Sequence, residues 1–104
     1  MTKLPLEGVR VIEAGQLIAI PLAGSIMGDF GAEVIKIEAP GTGDDMRRLG
    51  RYNGVSLGFK IMGRNKKCIT LDLRQTKGQA LFRRLTQDAD VLLENFRTGT
   101  LERW

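Results

Sequence analysis

Two residue types that commonly build active sites are absent or scarce in this sequence. The chain has no histidine and a single cysteine, Cys68. These two facts exclude an intrachain disulfide and a cysteine-based zinc site, and they make metal catalysis and serine–histidine chemistry poor hypotheses. A nucleophilic cysteine needs an activating base, so Cys68 is predicted to be a small buried side chain. No metal site is expected.

Acidic residues near predicted strand ends could bind the ribose of a nucleotide. Glu38 ends a predicted strand at the position where a dinucleotide-binding domain places the acid that binds ribose. The first strand-to-helix turn, EAGQLIAIP, lacks the G-x-G-x-x-G pattern of a pyrophosphate-binding turn. An NAD-binding domain is therefore only a secondary alternative. Asp72 lies on the polar face of a strand pattern and is interpreted as a structural hydrogen-bonding group.

The charge balance mildly favours anionic ligands. Lys and Arg outnumber Asp and Glu by 16 to 12, for a net charge of +4, although an ordinary solvated surface explains the same excess. The glycine- and arginine-rich stretch 39–65 shows no periodicity and is predicted to be a long irregular loop. Its only aromatic residues are Tyr52 and Phe59, too few for the base stacking that single-stranded nucleic acids require. No nucleic-acid partner is predicted.

The elements that would position these residues form an alternating pattern. Four short apolar runs are predicted strands: residues 9–14, 32–38, 67–73 and 90–96. Helices are predicted from Pro21 to about residue 30, from Thr76 to about residue 88, and from a cap at Thr100. Strand–helix–strand order is typical of right-handed parallel βαβ units. The predicted fold is α/β, a Rossmann-like open parallel sheet, and residues 1–104 are expected to be the N-terminal part of a larger domain.

Local features refine this outline. Gly24 and Gly28 lie one helical turn apart and should let the first helix approach the sheet closely, and Gly31 is placed to end that helix. Thr76 and Gln79 are predicted to form a capping box at the start of the second helix.

Ligands of open α/β sheets bind beyond the carboxyl ends of the strands. The segments that follow the predicted strands are 15–19, 38–43, 73–76 and 95–103. We expect the functional site to be built from these four segments.

Four segments together resemble the opening of a known family: LEGVRVIEAG, PLAGSIMGDFGAEVIKIEAPGTGD, GRNKKCITLDLRQTKGQALFRRL and DADVLLENFRTGTLERW. They are similar to the family III CoA transferases, the group that contains formyl-CoA and carnitine CoA transferases. The resemblance covers essentially the whole chain, and its specificity lies in the combination of GAEVIKIE, N-K-x-x-x-x-L-D-L and E-N-F-x-x-G-x-L. Related α-methylacyl-CoA racemases share much of this pattern but typically have a shorter path between the two glycine-rich segments. The stretch 53–62 therefore favours a transferase.

The resemblance implies that CoA lies across the strand ends, with its phosphorylated adenosine held by backbone N–H groups and basic side chains. By position, Gln16 would lie near the substrate. The residues implied to contact CoA are Ala19, Leu71, Arg74, Asn95, Phe96 and Arg103. Arg103 suits a phosphate because a guanidinium can donate two charge-assisted hydrogen bonds.

Three positions depart from the family pattern. Ile20 replaces the glycine of an A-G-P turn, Ala39 stands where some members have a phosphate-binding arginine, and Thr98 replaces a common proline. The first departure affects the expected shape of the substrate pocket. The second implies that a nearby arginine supplies the charge, with three candidates: Arg47, Arg48 and Arg51.

The resemblance also implies a reaction. The family nucleophile is an aspartate that attacks the thioester carbonyl and passes through an acyl anhydride and an aspartyl-CoA thioester. No aspartate of this chain falls at its place, so we expect no catalytic residue here and an inactive isolated chain. The predicted function is the CoA-binding N-terminal region of an acyl-CoA:carboxylate CoA transferase. The alternative is a non-catalytic CoA-binding or assembly fragment.

Partners and location follow from the same reasoning. The expected partners are a CoA thioester, a carboxylic acid and a second copy of the chain, because family members form interlocked homodimers. The longest apolar stretch, residues 17–27, is interrupted and too short to cross a bilayer, and the N-terminus has no signal-peptide run. We expect a cytoplasmic protein without a membrane partner.

Overall fold

A computed structural model describes residues 2–104 as an alternation of strands and helices. In chain order the elements are β1 (Arg10–Glu13), α1 (Ala19–Asp29), β2 (Glu33–Glu38), a 3₁₀ helix (Asp45–Arg48), β3 (Arg51–Tyr52), β4 (Val55–Ser56), α2 (Leu57–Met62), β5 (Lys66–Thr70), α3 (Thr76–Gln87), β6 (Val91–Leu93) and α4 (Thr100–Arg103). None of the helices in this described part is long and apolar enough to span a membrane.

The main sheet has four strands in the order β5-β2-β1-β6, and every neighbouring pair is parallel. The prediction of an open parallel α/β sheet is confirmed. The chain moves from β1 outward to β2 and β5, and then returns to place β6 on the other side of β1. The strand order therefore reverses at β1, and open α/β sheets bind ligands beyond the carboxyl ends of their strands near such a point.

Helices cover both faces of the sheet. Side chains alternate between the two faces along each strand, so each face presents apolar side chains for a helix to pack against. On one face Val11 and Val34 pack with Met27 of α1. On the other face Ile12 packs with Phe82 of α3. Helices α1 and α3 thus each supply an apolar layer for one face of the sheet.

Helix α1 lies unusually close to β1 at one glycine. A Cβ atom placed on Gly24 would lie 2.0 Å from Oε1 of Glu13, whereas a Cβ on Gly28 would have its nearest neighbours at 3.6 Å. The predicted close approach is therefore confirmed at Gly24, and the contact at Gly28 is ordinary. Gly31 follows the helix with φ +103°, the conformation in which a glycine ends a helix without strain.

The prediction of a long irregular loop over residues 39–65 was wrong. This stretch contains the 3₁₀ helix, the antiparallel hairpin of β3 and β4, and α2. The hairpin turns at Asn53 and Gly54, whose φ values of +48° and +80° suit a tight two-residue turn. Ser56 then caps α2, because its Oγ accepts a hydrogen bond from the Phe59 N–H at 3.1 Å.

Two predicted helix caps were also wrong. The residue before α3 is Gln75, and the Gln79 side chain donates to the Leu73 carbonyl at 3.0 Å instead of closing a capping box. Gly99, with φ +84°, precedes α4, so Thr100 is its first residue and not its cap.

The edges of the sheet are more exposed than predicted. Cys68 is exposed because β5 is an edge strand. Strand β6 forms the opposite edge, and its Leu92 is 40% exposed.

Candidate functional site

A cavity of about 320 Å³ lies at the carboxyl ends of the parallel strands. Its walls come from the segments that follow β1, β2 and β5, and from the chain after β6. Residues in its wall include Gln16, Glu38, Leu71, Arg74, Phe96 and Trp104. A wider groove, of about 640 Å³, runs between α3 and β5 on a face of the sheet. Because ligands of such sheets bind at the strand ends, the first cavity is the candidate site.

Four residues singled out from the sequence meet in this cavity: Gln16, Leu71, Arg74 and Phe96. The Phe96 ring packs edge to face against the Trp104 ring, with centroids 5.1 Å apart. This pair forms an aromatic wall next to the aliphatic surface of Leu71. The combination offers apolar contact area and a flat ring surface to a ligand.

Arg74 brings a positive charge to the cavity rim. Its Nε lies 3.0 Å from Oδ1 of Asp72, and the Arg74 side chain is 76% exposed. Hydrogen bonds from Arg74 hold the pKa of Asp72 below its ordinary value. Nε and Nη2 both donate to Asp72, at 3.0 and 3.3 Å, so a second anion would meet the N–H groups of the guanidinium that remain.

Asn95 lies beside the cavity, where its side chain is occupied by the backbone of Gln16. The Gln16 N–H donates to Asn95 Oδ1 at 3.0 Å, and Asn95 Nδ2 donates to the Gln16 carbonyl at 3.1 Å. The space is tight, because a Cβ on Gly15 would lie 2.6 Å from Asn95 Oδ1. Asn95 thus joins the end of β6 to the turn that follows β1.

Two other predicted residues lie outside the cavity wall. Ala19 is exposed as the first residue of α1. Arg103 is exposed in α4, and its guanidinium donates to Thr100 Oγ1 at 3.3 Å.

A buried group of four charged side chains lies between the sheet and α1, and one of its members, Asp44, also lines the cavity. It consists of Glu13, Lys36, Asp44 and Lys66, and we call it the buried charge network. Lys36 Nζ lies 2.7 Å from both Glu13 Oε2 and Asp44 Oδ2, and Lys66 Nζ lies 2.6 Å from Glu13 Oε1. All four side chains are at most 2% exposed. Their charges cancel, as burial of ions requires.

The pKa shifts in this network follow from burial and pairing. Burial alone would lower the pKa of Lys36, but hydrogen bonds to Asp44 and Glu13 outweigh it and raise that pKa. Burial would raise the pKa of Asp44, but hydrogen bonds from Lys36 and from backbone N–H groups outweigh it and lower that pKa. Lys66 differs, because burial prevails and its pKa is lowered.

The same network holds the turn between β1 and α1. Lys36 Nζ donates to the Gly15 carbonyl at 3.3 Å, and the Leu17 N–H donates to Asp44 Oδ1 at 3.0 Å. Lys66 Nζ donates to the Pro21 carbonyl at 2.7 Å. The N–H groups of residues 16 and 17 therefore both have side-chain acceptors and are not available to a phosphate. This agrees with the missing G-x-G-x-x-G pattern and argues against an NAD-binding turn.

Glu38 is also committed to protein contacts. Its carboxylate accepts two hydrogen bonds from Arg47, both at 2.7 Å, and one from the Asp44 N–H at 2.9 Å. The bond from Arg47 is the main reason that the pKa of Glu38 is lowered. Both oxygens are thus engaged, which leaves no free carboxylate for a ribose.

The arginines proposed as substitutes at Ala39 have partners of their own. Arg47 binds Glu38 and lies 3.8 Å above the Phe59 ring centroid. Arg48 pairs with Asp45, and Arg51 donates to the Gly54 carbonyl at 2.9 Å. Arg74 is the basic residue that the fold places in the cavity wall.

The buried charge network and the place of Trp104 in the cavity wall were not predicted from the sequence. The available signal was a charged residue inside an apolar strand run, Glu13 in VRVIEA and Lys36 in AEVIKIE. Charged side chains at such positions are buried only when they are paired. Trp104 carried no local signal, because tertiary packing of α4 brings it to the cavity.

No group of three or more His, Cys, Asp or Glu side chains within residues 2–104 is arranged to hold a metal ion.

Known proteins share both the sequence and the fold. A succinyl-CoA–D-citramalate CoA-transferase from Chloroflexus aurantiacus is 55% identical over 102 residues, which cover 96% of this chain and 25% of that protein. An acetyl-CoA:oxalate CoA-transferase from Acetobacter aceti is 42% identical over 102 residues, which cover 97% of this chain and 26% of that protein. The chain therefore spans about a quarter of the length of the curated relatives it matches.

Solved structures show the same likeness. The crystal structure of a CAIB/BAIF family protein from Brucella suis matches with a TM-score of 0.88 and 39% identity, over 98% of this chain and 28% of that one. A hypothetical protein from Mycobacterium tuberculosis matches with a TM-score of 0.87 and 43% identity, over 95% of this chain and 27% of that one. The family model described as CoA-transferase family III matches residues 6–104. The chain belongs to CoA-transferase family III.

Proposed function

We propose that this chain forms the CoA-binding part of an acyl-CoA:carboxylate CoA transferase, and that CoA binds in the strand-end cavity. The observation that carries the proposal is the meeting of Gln16, Leu71, Arg74 and Phe96 in one cavity beyond the parallel strands. These residues come from three separate segments, and each was expected at the site from the family pattern.

The cavity wall suits the two chemical halves of CoA. Leu71, Phe96 and Trp104 offer apolar and aromatic surface to the adenine or the pantetheine arm. Arg74 offers a positive charge to a phosphate at the rim, together with the N–H groups that Asp72 does not engage. Ala19, Asn95 and Arg103 are proposed to contribute at the margins, Asn95 through the Gln16 backbone that it holds.

The chemical step is proposed to use an aspartate from outside this chain. Asp44 and Asp72, the aspartates in the cavity wall, are paired with Lys36 and Arg74. Glu38 is paired with Arg47. A carboxylate held this way is a poor nucleophile for a thioester, because attack would break its ion pair. The chain alone is therefore expected to bind CoA without transferring it.

The alternative, a non-catalytic CoA-binding or assembly role, is separated by an activity assay. The purified chain is mixed with an acyl-CoA and a free carboxylic acid, and the products are resolved by chromatography. Exchange of CoA by the chain alone would show that a nucleophile is present in it, contrary to the proposal. Exchange that appears only when the rest of a family III enzyme is added would favour the transferase role over the assembly role.

CoA binding itself can be followed through Trp104, the single tryptophan. Because its ring lines the cavity, CoA should change its fluorescence in a saturable way. Arg74→Ala should raise the Kd for CoA about tenfold, the value of one charge-assisted hydrogen bond. Arg64→Ala is the matched control, since Arg64 is also an exposed arginine paired with an aspartate, Asp29, and lies outside the cavity wall.

Two results would contradict the proposal. One is the absence of any saturable fluorescence change with CoA. The other is an equal rise in Kd for Arg74→Ala and Arg64→Ala, which would indicate a non-specific charge effect. Calorimetry on Arg103→Ala tests the remaining arginine, and an unchanged Kd would remove Arg103 from the site.

The proposed assembly is a homodimer, supported by exposed apolar side chains on two helices. Leu22 and Ile26 of α1 and Leu57 and Ile61 of α2 are each at least 44% exposed. Such surfaces commonly mediate contact between chains.

A further inference from the structure

Side chains from outside the turn between β1 and α1 hold four of its backbone groups. Lys36 binds the Gly15 carbonyl, Asn95 binds both backbone groups of Gln16, and Asp44 binds the Leu17 N–H. Lys36 and Asp44 are 1% and 2% exposed. Water therefore cannot easily replace the contacts that Lys36 and Asp44 make.

The turn needs this support because of Leu17. Its φ is +68°, the left-handed region that is unfavourable for a residue with a Cβ atom. Asp44 Oδ1 accepts from the Leu17 N–H at 3.0 Å and from the Met46 N–H at 2.9 Å, while Oδ2 lies 2.7 Å from Lys36 Nζ. One buried carboxylate thus links the strained turn to the 3₁₀ helix and to β2.

Gln16, the residue before Leu17, lines the cavity. The backbone conformation at Leu17 determines how the turn continues into α1 and where Gln16 lies. We propose that the buried Lys36–Asp44 pair is a positioning device, which holds Leu17 in the left-handed conformation and thereby presents Gln16 to the ligand. This inference rests on the proposed function, because it assigns the pair a part in ligand affinity as well as in stability.

The variant Asp44→Asn separates the two roles without changing the size of the side chain. An amide that keeps its oxygen toward the Leu17 and Met46 N–H groups places its NH2 group, a donor, against Lys36 Nζ, and an amide turned the other way leaves the Leu17 N–H without its acceptor. In either orientation the link from Lys36 through residue 44 to the Leu17 N–H is broken, so the hold on the turn weakens. It also leaves Lys36 without one partner, so a loss of thermal stability is expected whether or not the positioning role exists.

A second substitution distinguishes the positioning role from a purely structural one, because only the positioning role predicts that it restores affinity for CoA. Glycine adopts positive φ without strain, so Leu17→Gly should let the turn keep its conformation when the hydrogen bond is weakened. In the double variant Asp44→Asn/Leu17→Gly, affinity for CoA should recover while the melting temperature stays low. The ion pair remains broken, and only the strain has been removed.

The experiment measures the Kd for CoA through Trp104 fluorescence, together with Tm, on the full chain. Asp44→Asn should raise the Kd about tenfold, Leu17→Gly alone should leave it near the wild-type value, and the double variant should regain most of the loss. Ser56→Ala is the stability control. Ser56 is 4% exposed and donates to the Met46 carbonyl at 2.7 Å, and it touches neither the turn nor the cavity wall. It should lower Tm without changing the Kd.

Two results would overturn the inference: a wild-type Kd in Asp44→Asn, or a double variant that binds no better than Asp44→Asn. Amide hydrogen exchange of Leu17 gives a ligand-free check, since its protection should fall in Asp44→Asn and not in Ser56→Ala. If the wild-type chain does not bind CoA, the proposed function fails and the ligand part of the inference fails with it. In that case, amide hydrogen exchange of Leu17 still tests whether Asp44 holds the turn. Unchanged protection of the Leu17 amide in Asp44→Asn would refute that contact's role.

Discussion

The contact between Gly24 and Glu13 gives a sharp test of how α1 meets the sheet. In Gly24→Ala the new methyl carbon would lie 2.0 Å from Glu13 Oε1, a distance that real Cβ contacts do not show. Glu13 is fully buried, and its Oε1 is 2.6 Å from Lys66 Nζ. The carboxylate cannot move away without disturbing that ion pair, so the helix or the buried charge network must shift by more than an ångström.

The expected cost follows from these contacts. Overpacking a well-packed interior typically costs about 1–3 kcal/mol. The displaced Lys66–Glu13 pair pushes the value toward the upper end, because a weakened buried ion pair is costly. Alanine has a helix propensity better than that of glycine by about 1 kcal/mol, which offsets part of the loss. We expect Gly24→Ala to lower the free energy of unfolding by about 2 kcal/mol.

Gly28→Ala is the matched control on the same helix. A Cβ on Gly28 would find its nearest neighbours at 3.6 Å, which is ordinary van der Waals contact. Only the propensity gain remains, so the free energy of unfolding should rise by up to about 1 kcal/mol. The two identical substitutions, one helical turn apart, should therefore have opposite signs.

Urea unfolding followed by far-UV circular dichroism measures both variants. The denaturant dependence of the free energy should stay constant, so that the shift in midpoint reports stability directly. Equal stabilities for the two variants, or a Gly24→Ala chain more stable than wild type, would refute the reasoning. Either result would mean that α1 does not lie against Glu13 as described.

Two further predictions concern acid and assembly. The pKa of Asp44 is lowered from its ordinary value of 3.8, so its contribution to stability is full above that value and is lost as the pH falls through the lower folded pKa. Unfolding free energies measured at decreasing pH should fall more steeply for wild type than for Asp44→Asn, and identical slopes would contradict the assignment. The exposed apolar side chains of α1 and α2 should make the chain self-associate, and Leu22→Lys/Ile26→Lys should reduce the association. Sedimentation velocity measures this directly, and a wild-type chain that stays monomeric at all concentrations would refute it.

The sequence was sufficient for the order of strands and helices outside residues 39–65. Apolar runs such as that around Val11 and Val34 are local patterns, and the alternation of strand and helix restricts the topology to parallel βαβ units. The position of the cavity followed from the same pattern, because parallel strands bring all their carboxyl ends to one edge. Gln16, Leu71 and Phe96 could therefore be expected near each other before any distance was known.

Two local errors have local causes. The Asn53–Gly54 pair is a hairpin signal inside the stretch predicted to be an irregular loop. The φ values of these residues are +48° and +80°, and asparagine and glycine adopt such positive values more readily than other residues do. The capping box at Thr76 and Gln79 failed for another reason. The Gln79 side chain donates to the Leu73 carbonyl. The sequence pattern alone does not show whether Gln79 prefers this carbonyl or the backbone N–H of a capping box.

The sequence alone determined the family, the parallel fold and the edge of the sheet that carries the cavity, because these depend on residues close together in the chain. Only the tertiary structure decided which charged side chains form ion pairs in the interior of the protein. Glu13, Lys36, Asp44 and Lys66 lie in four separate segments. Glu13 and Lys36 stand out as charged residues inside apolar strand runs, but nothing local indicates their partners. The strength of a buried ion pair depends on distance and on exclusion of water, and both arise only when the segments pack together.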